Sequence, residues 1–205
     1  MRLIAHRINT INQLKEINTE LGVEIDVRSL NNQLILHHDA FELGETLDKW
    51  LEYYNHNILI LNVKEEGLEE RVLELISKHK ITNYFFLDQS FPFLIKLSRA
   101  GNYNTAVRFS EYESIETVLS LSGKVNWVWV DCFNSFPMNK NDYLKLKQAN
   151  FKLCIVSPEL QGRNNTNEIL DLFDFLCKNK IFIDAVCTKK AEVWKNLQDD
   201  NERNN

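Results

Sequence analysis

Short apolar runs alternate with helix-period segments along almost the whole chain, and this alternation constrains the fold more than any other feature. Eight runs are rich in β-branched or aromatic residues, which is typical of buried strands. They lie at 3–5, 23–27, 57–63, 83–88, 105–109, 126–131, 152–157 and 184–187. Strands that alternate with helices predict a parallel sheet covered by helices.

Capping signals mark where the first helices begin. Thr10 is a predicted N-cap, and Gln13 three residues later completes a capping box. Gly22 is predicted to end this helix in the C′ position. A second helix is predicted to begin near Thr46. Further helices are predicted near 68–76, 91–100, 114–122, 141–149, 166–179 and 189–198.

Eight strand–helix units predict an α/β fold of the (β/α)8 TIM-barrel type. The chain has 205 residues, so this barrel is minimal compared with the typical length of about 250. The alternative is an open doubly wound sheet, although no Gly-rich nucleotide-binding turn follows the first strand. We predict a single domain over residues 1–198 and a disordered polar tail over 199–205.

Charge and hydropathy exclude several classes of function. The formal net charge is −5 and there is no Arg-rich run, which argues against nucleic acid as a partner. No window approaches the ~18 apolar residues of a membrane span, and no signal peptide is visible, so we expect a cytoplasmic protein. The four widely spaced cysteines predict reduced, buried thiols. The oligomeric state is not predicted.

Two carboxylates in one strand are the most informative chemical feature. Glu24 and Asp26 stand two residues apart in "VEIDV", so they share a face of the strand. Close, desolvated carboxylates repel each other unless a cation lies between them. A hard divalent ion, Mg²⁺ or Ca²⁺, would relieve this repulsion, and Asn62 offers a neutral oxygen ligand. The alternative is a structural network in which both acids pair with nearby cations, namely Arg7, Arg28 or Lys64.

Other polar residues also follow predicted strands. His6 and Arg7 follow the first strand, Asn62 and Lys64 end the third, and His38 lies in a His-His-Asp triplet. In a (β/α)8 barrel, strand ends gather at the mouth that carries the active site. Three single charges at strand ends are interpreted as structural, namely Arg108, Asp131 and Glu159.

The order of these motifs resembles the glycerophosphodiester phosphodiesterase family. "LIAHR", "VEIDV" and "LILHHD" are similar to its His-Arg-Gly strand end, its Glu-x-Asp strand and its His-Asp loop. "ETLDKWL", "ILILNVK", "LDQSF" and "DAVCTKKAE" follow in the family's order. The resemblance covers about residues 3–194.

The resemblance implies a TIM barrel that hydrolyses a small phosphodiester with a glycerol-like alcohol to an alcohol and a phosphomonoester. It implies one divalent cation, Mg²⁺ or Ca²⁺. Carried over to this chain, the catalytic histidines are His6 and His38, the phosphate-binding cations Arg7 and Lys64, and the metal ligands Glu24, Asp26 and Asn62.

Four departures from the family pattern distinguish this chain. Ile8 stands where the family has glycine, and Asn62 stands in place of a third metal carboxylate. Only "AFELGE" separates Asp39 from Thr46, so the usual insertion is missing and an open mouth is expected. Ser157 stands where many members have tryptophan. The alternatives are a degenerate barrel that binds a phosphorylated ligand or a protein without turnover, and a barrel that processes sugars or polyols.

Overall fold

The computed structural model describes residues 1–163 and 165–203. These residues form ten strands and eight α-helices. The strands are β1 (Arg2–Ala5), β2 (Gly22–Leu30), β3 (Gln33–Leu36), β4 (Glu45–Thr46), β5 (Leu59–Val63), β6 (Tyr84–Leu87), β7 (Ala106–Phe109), β8 (Trp127–Val130), β9 (Lys152–Val156) and β10 (Ala185–Thr188). The helices are α1 (Ile11–Glu16), α2 (Leu47–Leu51), α3 (Glu69–Lys78), α4 (Phe91–Arg99), α5 (Ile115–Leu119), α6 (Lys140–Gln148), α7 (Thr166–Lys178) and α8 (Ala191–Arg203).

All eight predicted strands are present, and two further short strands follow β2. Asn31 and Asn32 both have positive φ values, 48° and 61°, which suit a two-residue hairpin turn. The turn sends β3 back antiparallel to β2, with Leu30 opposite Gln33 and Val27 opposite Leu36. β4 then pairs antiparallel with β3. The predicted apolar run before His38 is therefore the return arm of a hairpin.

Chain contacts divide the protein into two compact units, Ala5–Ala106 and Met1–Ile4 with Val107–Asn205. In the first unit the strand order is β4-β3-β2-β5-β6. β2, β5 and β6 are parallel, and their register sets Asp26 beside Asn62. Phe86 forms an isolated parallel bridge with Thr105. The prediction of a single domain stays a prediction.

Alternation along β2 explains why acids can occupy a buried strand. Val23, Ile25 and Val27 belong to the apolar cluster that also contains Leu47 and Trp50 of α2. Because successive side chains point to opposite faces, the acids at the intervening positions point away from this helix-covered face. Burial of the apolar face thus fixes the register that directs both acids to one side.

In the second unit the strand order is β1-β10-β9-β8-β7. β8, β9 and β10 pair in parallel, and Arg2 N donates to Asp184 O to join β1 to this sheet. Trp194 of α8 is fully buried and donates its Nε1–H to Ser157 Oγ at 2.8 Å. The final helix is therefore anchored on the sheet.

Three details differ from the sequence predictions. The Thr10–Gln13 capping box is present, but α1 ends at Glu16, and Gly22 is the first residue of β2 instead of a helix terminator. Residues 199–203 continue α8, so the predicted disorder is wrong for them, whereas 204 and 205 lie outside the described residues. Three cysteines are buried as predicted, but Cys177 is exposed on α7. No helix within the described residues has the length and apolar character of a membrane span.

Candidate active site

The segment after β1 brings His6 and Arg7 to the acids of β2. Ile8 N donates to Glu24 O at 2.8 Å, which holds this segment alongside the strand. Arg7 has a φ of 59°, a left-handed conformation that costs a non-glycine residue about 1 kcal/mol or more. In this conformation the Arg7 N–H donates to Glu24 Oε2 at 2.7 Å. Strained backbone of this kind is concentrated at functional sites.

Glu24 is buried with polar but mostly uncharged partners. Asn62 Nδ2 donates to its Oε1 at 2.8 Å, and His6 Nε2 lies 3.9 Å from its Oε2. Burial raises the pKa of Glu24 to about 7, and the nearby charge of Asp26 adds to this rise. The hydrogen bonds from Asn62 and from the Arg7 N–H act in the opposite direction. Glu24 therefore exchanges its proton near neutral pH.

Asp26, by contrast, is surrounded by cations and an amide. Its Oδ1 lies 3.1 Å from Lys64 Nζ, and its Oδ2 lies 3.5 Å from Arg7 Nε. Asn9 Nδ2 donates to the same Oδ2 at 2.8 Å, and Asn9 Oδ1 accepts from the Asp26 N–H at 2.9 Å. Lys64 also contacts Asp88 Oδ2 at 3.4 Å. Two cations thus compensate the charge of Asp26.

Several buried polar atoms in this cluster make no hydrogen bond. Asn62 Oδ1 is the clearest case, and Arg7 Nε and Asp26 Oδ1 have ion-pair contacts without hydrogen-bond geometry. Buried polar groups without hydrogen bonds are rare because each costs free energy. Their concentration beside Glu24 indicates a cluster that is completed by a polar ligand.

His38 lies at the end of the β2–β3 hairpin and pairs with its neighbour. Its Nδ1 is 2.7 Å from Asp39 Oδ1. The hydrogen bond with His38 lowers the pKa of Asp39, and the charge of Arg7 acts in the same direction. A carboxylate on Nδ1 selects the tautomer in which Nε2 is the exchangeable position. Nε2 of His38 is therefore available for proton transfer.

Arg28 holds the main chain of His38. Its Nε and Nη2 both donate to His38 O, at 3.1 and 2.9 Å. Glu65 lies on the other side, with Oε1 3.5 Å from Arg28 Nη1 and Oε2 accepting from Ser29 N and Oγ. Arg28 is one of the cations expected from the sequence to pair with the acids of β2, but its contact with His38 O was not predicted.

A small cavity lies beside Lys64. Its volume is about 280 Å³, and its walls include Lys64, Glu66, Glu69, Asp88 and Ser90. Lys64 is the positively charged residue of the cavity wall, and the acids of the wall repel a further anionic group. A phosphate in this cavity would therefore bind on the Lys64 side.

The predicted metal ligands do not fit a divalent ion in the arrangement that the structure shows. Both oxygens of Glu24 accept hydrogen bonds, and both oxygens of Asp26 contact cations. Asn62 turns its Nδ2, not its oxygen, towards Glu24. Mg²⁺ and Ca²⁺ require six or more oxygen ligands. The described residues contain no group of three or more His, Cys, Asp or Glu that could hold a metal ion.

The structure thus joins most of the residues selected from the sequence. Contacts with Glu24 or Asp26 link His6, Arg7, Asn62 and Lys64 into one cluster. The ring of His38 contacts Asp39, outside that contact network. The sequence did not predict Asn9 and Asp88 as polar partners, nor the contact of Arg28 with His38 O. Only Arg28 carried a signal, because it continues the face of Glu24 and Asp26 along β2.

Comparison with known proteins identifies the fold. No family model matches the chain, and no curated protein matches it in sequence. Two solved structures are similar over nearly its whole length. A glycerophosphodiester phosphodiesterase from Agrobacterium tumefaciens has a TM-score of 0.69 and 10% identity, covering 97% of this chain and 99% of its own. A glycerophosphoryl diester phosphodiesterase from Parabacteroides distasonis has a TM-score of 0.68 and 11% identity, covering 98% and 86%. These likenesses confirm the predicted (β/α)8 fold class and the resemblance drawn from the motifs.

Proposed function

We propose that this chain hydrolyses a small phosphodiester to an alcohol and a phosphomonoester, with His6 and His38 as the acid and base. One observation carries the proposal. A buried cluster gathers His6, Arg7 and Lys64 around two carboxylates, and it leaves the polar atom Asn62 Oδ1 without a hydrogen bond. The likeness to two enzymes named as phosphodiesterases supports the same reaction class.

Arg7 and Lys64 supply positive charge to the phosphate. Charge on the non-bridging oxygens is the main electrostatic demand of phosphoryl transfer, and fixed cations in a desolvated site meet it best. Asp26 fixes both cations because it contacts each of them. Lys64 in addition borders the cavity. A phosphate bound there gains a rigid lysine with no reorganisation at the moment of reaction.

The two histidines divide the proton transfers. One accepts the proton of the substrate hydroxyl adjacent to the phosphate, and that oxygen attacks phosphorus. The other donates a proton to the leaving alcohol as its P–O bond breaks, which forms a cyclic phosphate. Water then opens the ring with the proton roles reversed. Each histidine is worth roughly 10²–10⁴-fold in rate.

The acids of the cavity wall limit the substrate. Glu66, Glu69 and Asp88 oppose a second negative charge beside the phosphate. We therefore expect the alcohol that occupies this cavity to be neutral or cationic. A glycerol-like alcohol satisfies this condition. The divalent ion predicted on Glu24, Asp26 and Asn62 stays a prediction, and no step above passes through it.

A panel of glycerophosphodiesters tests the proposal. The purified protein is incubated with each compound in Mg²⁺, Ca²⁺, Mn²⁺ or EDTA, and mass spectrometry measures the released alcohol and phosphomonoester. His6→Ala should abolish turnover. His79→Ala is the matched control, because His79 is a partly buried histidine that pairs with Asp48 of α2. Turnover that survives His6→Ala would remove His6 from the mechanism.

A second candidate is binding of a phosphorylated ligand without turnover. The observation that favours it is that every carboxylate oxygen of Glu24 and Asp26 already has a donor or cation within 3.5 Å. Calorimetry with glycerol phosphate distinguishes the candidates. Binding that Lys64→Gln weakens, without turnover of any diester, would favour the binding protein.

A further inference from the structure

We propose that the Lys64 ammonium takes the position beside Asp26 that the sequence assigns to a divalent ion, so that the site works without a metal. The claim that catalysis needs no metal rests on the proposed function. The claim that the site excludes a divalent ion rests on contacts alone.

Two cations already lie beside Asp26. Glu24 and Asp26 contribute two negative charges when both are ionised, and Arg7 and Lys64 contribute two positive charges within 3.5 Å of Asp26. A divalent ion between the acids would add two more positive charges beside these cations. Arg7 and Lys64 therefore compensate Asp26 as a metal ion would have to do.

Asn62 strengthens the inference from the side of Glu24. Its Nδ2 donates to Glu24 Oε1 at 2.8 Å, so the amide is a hydrogen-bond donor to this carboxylate. As a metal ligand it would have to turn its oxygen towards the ion. That rotation would set Asn62 Oδ1 against Glu24 Oε1, two acceptors with no proton between them. Asn62 thus serves Glu24 as a partner in its own right.

Both carboxylate oxygens of Asp26 also have partners already. Asn9 accepts from the Asp26 N–H and donates to its Oδ2, which fixes the carboxylate from the backbone and the side chain at once. The remaining Oδ1 faces Lys64 Nζ at 3.1 Å. A divalent ion would have to displace the lysine from a buried partner.

One ammonium, that of Lys64, can both pair with Asp26 and contact a phosphate oxygen. A lysine ammonium has three N–H donors. Nζ donates one of them to Asp88 Oδ2 at 3.4 Å and forms an ion pair with Asp26 Oδ1 at 3.1 Å. A further donor is then available for a non-bridging phosphate oxygen in the adjoining cavity. This is the contact that a divalent ion would otherwise make.

Two measurements on the wild-type protein test the inference. Turnover is compared in EDTA and in Mg²⁺, Ca²⁺ or Mn²⁺, and the expected result is an unchanged rate. Activity that disappears in EDTA and returns with a metal would overturn the inference but leave the phosphodiesterase proposal standing. The melting temperature is titrated with the same ions, and no ion-dependent rise is expected. If no diester is turned over under any condition, the proposed function fails, and the melting titration still decides whether the site excludes a divalent ion.

Two variants sharpen the test. Asn62→Glu adds a third carboxylate beside Glu24 and should produce a melting temperature that rises with divalent ions, whereas Asn62→Gln, which keeps the amide, should not. If Asn62→Glu does not fold, Lys64→Gln provides the test instead. This variant lacks the ammonium, so its melting temperature should rise with divalent ions. A wild-type protein that already responds, or a Lys64→Gln protein that gains no response, would show that the ammonium is not what excludes the metal.

Discussion

Two groups of charged residues at strand ends resemble each other in sequence but differ in the structure. In the unit of residues 5–106, Glu24 and Asp26 form the cluster described above. In the unit of residues 1–4 and 107–205, Asp131 accepts from Arg108 and from Gln161, the latter at 2.7 Å. Glu159 accepts from Ser157, from Thr188 Oγ1 at 2.6 Å and from Lys189 N at 3.0 Å.

Hydrogen-bond satisfaction separates the two groups. Within residues 107–163, 165 and 167–203, no buried side-chain nitrogen or oxygen lacks a hydrogen bond. The first group leaves Asn62 Oδ1 buried without one. A saturated network stabilises the fold, whereas an unsaturated one is completed by a ligand. A charged residue at a strand end therefore indicates a ligand site only when its hydrogen-bond partners are known.

The largest expected effect compares one lysine from each unit. Lys64→Gln removes a phosphate-binding cation and should lower kcat/KM about 10²–10³-fold. Lys147→Gln is the control, because Lys147 pairs with Asp184 in the other unit at 2.9 Å. Steady-state kinetics on a cleaved diester provides the measurement. Equal losses in both variants would abolish the distinction between the two groups.

Asp131→Asn tests the saturated network. The change breaks the buried ion pair with Arg108 and should lower the free energy of unfolding by about 3 kcal/mol. Activity below the melting temperature should be retained, because Asp131 has no assigned role in the reaction. Denaturant unfolding and kcat are both measured. A folded variant without activity would place Asp131 in the catalytic machinery and break the comparison.

Glu24→Gln tests the unsaturated cluster through pH. The pKa of Glu24 is raised from 4.5 to about 7 in the folded protein. Its contribution to stability is therefore complete below pH 4.5 and is lost as pH rises to about 7, a loss of about 3 kcal/mol. Glutamine has no such loss. The melting temperature of the variant relative to wild type should rise between pH 4.5 and 7 and then level off. A difference independent of pH would contradict the raised pKa.

Arg28→Ala gives the smallest expected effect. Loss of the two hydrogen bonds to His38 O should misplace the ring and lower kcat about tenfold, with KM little changed. Arg71→Ala is the matched control, since Arg71 donates to Asn32 O on the same hairpin, away from His38. Arg28→Lys should restore part of the activity. If both alanine variants lose the same activity, the effect is hairpin stability instead of His38 position.

Most of the fold was predictable because local patterns determine it. β-branched and aromatic runs identified eight of the ten strands, and Thr10 with Gln13 correctly marked the start of α1. The prediction from Gly22 was wrong because the glycine begins a strand whose pairing with β5 outweighs its helix-ending preference. The prediction of disorder for residues 199–203 was wrong for a similar reason. Buried Trp194 anchors α8, which allows a polar helix to continue to Arg203.

The sequence by itself determined that Glu24 and Asp26 lie together in the candidate site. The spacing of Glu24 and Asp26 and the alternation of β2 suffice to set both acids on one face, since strand geometry has a period of two. What tertiary structure decided is which partner each acid receives. Asn9, Lys64 and Asn62 come from three points of the chain, and their donor directions depend on how those segments pack. Charge compensation depends on distances in space. Residue spacing along the sequence therefore does not determine whether a metal ion or a lysine compensates the charge of Asp26.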